Sequence, residues 1–124
     1  MAEIHSLEEI CSNTHEILQV ATKNLPIPDK DRVRDVRKMI SVFTYSIIRE
    51  LAKEQDVHED DIYLRYLMGG GLSSSQAHAI VNRTRDEFLY REFGDDCMQA
   101  GKEVVIRWRA GDDAFQSNLH DLLT

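Results

Sequence analysis

Proline is nearly absent from this sequence, with two residues in 124, and glycine is limited to six. A β-sandwich or barrel needs turn residues every few positions, so this scarcity argues against a turn-rich β fold and favours long uninterrupted helices. Cysteine is as sparse. Cys11 and Cys97 stand far apart, with no CxxC and no Cys/His spacing. Each falls on an apolar helical stripe, which reads as a small buried hydrophobe in a reducing compartment. Long apolar runs are missing too, and no window approaches the roughly 18 residues a membrane span requires. The first residues carry Glu3, Glu8 and Glu9 where a signal peptide has a basic start and an apolar stretch. The expectation is a cytoplasmic protein without a membrane partner.

Positive charge is also in deficit, with 15 Lys and Arg against 22 Asp and Glu for a formal net charge of -7. Such a chain is repelled on average by nucleic acid, which disfavours a generic phosphate-backbone binder. The acid is unevenly placed. Residues 1–25 set four glutamates against Lys23 alone, whereas 26–56 is slightly basic.

A chain of this length buries enough surface for a core without metal or disulfide support. The spacing predicts an all-α fold, a compact bundle of five or six helices in a single domain over residues 1–124. The first helix opens at Ser6, which has capping-box spacing to Glu9. Leu7, Ile10, Cys11, Thr14, Ile17, Leu18, Ala21 and Leu25 make its stripe, and Pro26 and Pro28 end it. A second helix runs from about Asp31 to Gln55. Its stripe is so wide between Met39 and Ile48 that it reads as the central helix, with neighbours on more than one side. A third helix spans Glu59–Met68, with Ile62, Leu64, Tyr66 and Leu67 inward, and stops at Gly69-Gly70-Gly71. Whether that triplet is a hinge or only a loop is open from sequence.

Ser73 starts a fourth helix with Gln76 at the capping-box position, and Gly94 breaks it beyond Phe93. A fifth runs from Asp95 to Ala110. Gly101 lies on its apolar side, where glycine costs about 1 kcal/mol relative to alanine, so another helix is expected to approach closely there. The last helix runs from Asp112 to Leu123, with Phe115, Leu119 and Leu122 inward.

The residues that carry chemistry in other proteins find plainer roles in this pattern. His5, His15, His58, His78 and His120 are scattered without HExxH or Glu-x-x-His spacing, so no metal site and no cofactor is expected. Ser73-Ser74-Ser75 has no GxSxG setting. The pairs Asp60-Asp61, Asp95-Asp96 and Asp112-Asp113 all fall at helix starts, where the helix dipole accounts for them. The basic run Arg32, Arg34, Arg37 and Lys38 is interleaved with Asp31 and Asp35 and reads as a solvated face.

Two functional readings follow. The first is a non-enzymatic protein-interaction or regulatory module, whose partner is another protein or a second copy. Tyr63 and Tyr90 fall off the main stripes and would contribute to an interface. The breadth of the Val33–Ala52 stripe is the argument for a homodimer. The second is a helix-turn-helix DNA-binding regulator using Asp61–Arg85, with Ser73, Ser75, Gln76, Asn82, Arg83 and Arg85 as candidate nucleic-acid contacts. The charge of the chain disfavours that reading.

Overall fold

The computed structural model describes residues 2–23, 25, 27–53, 55, 57–112 and 115–123, with the side chains of 2–6, 116–118 and 123 left aside. The described residues form six α-helices and no strand: α1 (Ala2–Ala21), α2 (Val33–Ala52), α3 (Glu59–Gly69), α4 (Ser74–Asp86), α5 (Gly94–Arg109) and α6 (Gln116–Leu123). Short 3-10 turns at Lys30–Arg32 and Phe88–Tyr90 precede α2 and follow α4. No described helix is long and apolar enough to cross a membrane.

The wide stripe of α2 is used in full. Every residue from Val42 to Ile48 is buried, including Thr44, Tyr45 and Ser46. The helix packs most extensively against α5 and also touches α1, α3 and α4. Its polar residues are satisfied locally or across helices. Thr44 donates to the Ile40 carbonyl at 2.7 Å, and Ser46 donates to the Met98 carbonyl of α5 at 2.5 Å. The breadth of the stripe is therefore closed inside one chain, and it no longer argues for a second copy.

Gly101 makes the close approach that its position predicts. A Cβ there would lie 2.6 Å from both Cβ and Oγ of Ser46 and 3.0 Å from the Phe43 carbonyl oxygen. Glycine thus sets the α2–α5 distance. The core around this contact takes Ile17, Phe43, Ile47, Ile48, Val104 and Val105 out of water completely.

Several boundaries differ from the sequence expectation. α1 begins at Ala2, so Ser6 lies inside the helix and does not cap it. Its side chain is outside the described residues. The helix ends at Ala21 rather than at the prolines, and Leu25 packs half-buried against the core beyond the end. Pro26 is outside the described residues. α2 is shorter than 31–55 at both ends, because the 3-10 turn occupies its predicted start and Lys53 caps its finish. α3 turns Ile62 and Tyr63 fully inward, while Leu64, Tyr66 and Leu67 are half-buried, because α1, α2 and α4 surround it.

The fourth helix stops at Asp86, well short of Phe93. The chain folds into the Phe88–Tyr90 turn so that Phe88 reaches the core. Gly94 does not break α4. It opens α5, pressed so closely on the turn that a Cβ would lie 2.1 Å from the Leu89 carbonyl oxygen. At the C-terminus α6 starts at Gln116, not Asp112, whose backbone N–H instead bonds the Arg107 carbonyl at 2.9 Å. Asp113 is outside the described residues.

Candidate functional site

A trough of about 710 Å³ runs between α1 and the C-terminal end of α3, lined by Cys11, Tyr66, Leu67 and Leu72 with Glu8 and Arg65 at its rim. It continues into a second hollow of about 380 Å³, where Leu18 and Thr22 of α1 face Ile40, Ser41 and Thr44 of α2. His15, Tyr66 and Leu67 line both, so the two hollows adjoin along α1 between Glu8 and Thr22.

Local sequence explains the walls. α1 presents positions 8, 11, 15, 18 and 22 at steps of three and four, one face of a helix. The α3 wall is held by its C-terminal cap. Gly71 has φ +104°, and its N–H bonds the Met68 carbonyl at 3.1 Å while the Leu72 N–H bonds the Leu67 carbonyl at 3.3 Å. This paired pattern is a Schellman cap, which brings the residue after the turn beside the third from the helix end. Leu67 and Leu72 accordingly stand together in the trough wall. The glycine triplet is thus a built helix end with defined bonds.

The polar groups of the trough have modest chemistry. Cys11 is half-buried and points its thiol at the Ile62 carbonyl, 3.7 Å away. Burial raises its pKa, with the nearby Arg65 opposing, so the reactive thiolate is disfavoured. Burial likewise raises the Tyr66 phenol. Arg65 pairs with Glu8 at 3.1 Å across the rim, both exposed. The lining is suited to holding an apolar surface.

The tyrosines separate sharply. Tyr63 is 2% exposed and belongs to the core, its ring edge-on to Tyr45 with centroids 5.8 Å apart. It is not the exposed interface tyrosine that the sequence suggests, because α1, α2 and α4 enclose α3, and it reaches the surface only as a sliver of the second hollow's wall. Tyr90 is 84% exposed and remains available.

The helix-turn-helix candidates are placed as follows. Ser73 caps α4, accepting from the Gln76 N–H at 3.2 Å, while the Gln76 side chain accepts from the Ser73 N–H at 3.0 Å. Both side chains are thereby used in the capping box that the spacing predicts. Ser75 and Arg83 are exposed on α4. Asn82 accepts from Arg85 at 3.2 Å. Arg85 is also held by Asp86 at 2.8 Å and by Asp60 of α3 at 2.8 Å. Asp60 in turn accepts from the buried Tyr45 hydroxyl at 2.9 Å, so it joins α2, α3 and α4 through one carboxylate.

The remaining candidates have structural places. His58 caps α3, its Nδ1 accepting from the Asp60 N–H at 3.1 Å, so its position beside Asp61 serves the helix start. Asp95 and Asp96 lie in the first turn of α5. Among the described residues no three His, Cys, Asp or Glu side chains gather as metal ligands would. Cys97 is fully buried, and burial pushes its thiol up to about 12.

Sequence periodicity did not reveal the trough. Its only signal was the position of Cys11 and Leu18 at the edges of the α1 stripe, next to exposed His15. The trough is built from residues of α1, α2 and α3 that are distant in sequence, a tertiary feature. No protein-family model, curated protein or solved structure matches the chain.

Proposed function

We propose that this protein is a non-enzymatic interaction module whose α1–α3 trough receives an amphipathic helix of a partner protein. The observation that carries the reading is the trough itself. It follows α1 from Glu8 to Thr22, about 21 Å at 1.5 Å per residue, which matches four turns of an occupying helix. Helix-in-groove docking buries apolar anchors spaced at i, i+3, i+4 and i+7, and Cys11, Leu18, Tyr66, Leu67 and Leu72 offer the matching surface. The plain structural employment of Ser73, Gln76, His58 and Cys97 supports a binding role over a catalytic one.

The test is affinity capture of the tagged protein from cells of its source, with and without nuclease, read by mass spectrometry. The same capture uses His15→Glu, which places a charge on the exposed centre of the trough. A protein partner retained after nuclease and lost with His15→Glu is the expected result. A partner indifferent to His15→Glu removes the trough reading. Association lost on nuclease treatment would bring the helix-turn-helix reading forward, and recovery of untagged copies of the chain alone would point to a homodimer.

A further inference from the structure

Glu87, just past the end of α4, is the meeting point of cations from three parts of the chain. Arg91 pairs with it at 2.5 Å, and Lys38 of α2 and Arg83 of α4 add positive field at the same carboxylate. The hydrogen bond from Arg91, with these charges behind it, holds the Glu87 carboxyl below the usual carboxylate range. The Lys38 ammonium is placed by the buried Phe88 ring, 5.7 Å from its centroid. Arg34 lies one turn earlier on the same side of α2 and is exposed. Tyr90, 84% exposed, occupies the turn between Glu87 and Arg91. The neighbouring Asp86 is engaged by Arg85 instead.

We propose that this face is a second interaction surface, which docks a short acidic segment of a partner protein. Three cations from separate parts of the chain gather at one carboxylate in a chain of net charge -7, so the clustering does not follow from composition. Arginine and tyrosine are the residues that most often anchor interfaces, and arginine binds carboxylates through paired charge-assisted hydrogen bonds. A short acidic segment covers this face alone. A nucleic-acid duplex carries a charge about every 1.7 Å and would extend onto the acidic remainder of the molecule, within a Debye length of about 10 Å at 0.1 M salt. The face shares no lining residue with the α1–α3 trough, so the inference does not depend on the trough being occupied.

Fluorescence anisotropy with a labelled oligoglutamate peptide tests this, with oligolysine and a random-sequence DNA duplex as parallel probes. Oligoglutamate should bind at low salt and weaken as salt is added. The double variant Arg83→Glu with Arg91→Glu should lose about tenfold or more in affinity, and Tyr90→Ala severalfold, with helical content and melting unchanged. A control pair on α5, Lys102→Glu with Arg109→Glu, alters the net charge equally and should lose far less. Equal losses in the two pairs would assign binding to overall charge and overturn the proposal. So would absence of oligoglutamate binding at low salt, or a duplex that binds more tightly than the peptide.

Discussion

The Ser46 side chain occupies the space that any side chain at position 101 would need. Its hydroxyl then bonds the Met98 carbonyl, so one residue both fills the α2–α5 crossing and ties the helices together. Gly101→Ala gains about 1 kcal/mol of helix propensity but forces a methyl into backbone and Cβ atoms, an overpacking that costs about 1–3 kcal/mol. A net loss of about 1 kcal/mol is expected, read as a melting point lower by roughly 4 °C. Adding Ser46→Gly should recover part of the loss, and a double-mutant cycle in urea measures the coupling.

Cys97 gives the protein an alkaline limit. Burial, aided by Asp96, raises its pKa from 9.0 to about 12. Because the folded thiol holds its proton more tightly than the unfolded one, its contribution is intact below pH 9. It is lost as pH rises from there towards 12. Thermal melts should fall through that window, and Cys97→Ala should flatten the fall at some cost in stability at neutral pH. A residual decline above pH 10 should persist, since the Tyr45 and Tyr63 phenols are raised as well. A thiol reagent near pH 8 should label Cys11 before Cys97.

Asp60 and Arg85 share an ion pair at 2.8 Å but are not equally important. Arg85 is 44% exposed, and its pairs are screened, so Arg85→Ala should leave stability nearly unchanged. Asp60→Ala leaves the Tyr45 hydroxyl without its acceptor and should cost more, about 1–3 kcal/mol. Urea titration of the two variants compares them. The helix-turn-helix reading adds a separate expectation for Arg85→Ala, loss of DNA affinity in a gel shift.

The elements legible in the sequence were those decided within a few residues. The Ser73–Gln76 box needs only its own spacing. The central place of α2 was legible because its Val42–Ile48 stretch, buried on every side, leaves little polar surface in the sequence. Gly101 was legible because glycine on an apolar stripe has few other uses. The end of α4 was not, since the pattern of apolar residues runs on through Phe88 and Phe93. Only the packing of Phe88 and the contact of Gly94 with Leu89 decide where the chain turns. The trough was illegible for the same reason, being assembled from residues of three helices far apart in sequence.

Tyr63 and Tyr90, paired as surface candidates by sequence, should respond oppositely. Tyr63→Ala empties a core site and should cost about 3–5 kcal/mol, measured by denaturant melting. Tyr90→Ala removes an exposed ring and should stay within about 0.5 kcal/mol of the parent. Any effect of Tyr90→Ala on binding would then be a direct loss of contact.

The glycine triplet separates two roles that the sequence leaves merged. Gly69 is the last residue of α3, and a Cβ there would meet nothing within 4 Å, so Gly69→Ala should gain up to about 1 kcal/mol of helix propensity. Gly71 also has open space around it, but its φ of +104° lies where a Cβ strains the backbone. Gly71→Ala should therefore lose about 1–2 kcal/mol. Leu72 reaches the trough wall only through the cap that Gly71 makes, so the loss should extend to partner capture at temperatures where the protein stays folded. A hinge would behave differently: amides around the turn would exchange rapidly in the parent, and Gly69→Ala would slow them while raising the melting point. Melting and hydrogen exchange measured on both variants separate a rigid cap, already protected in the parent, from a working hinge.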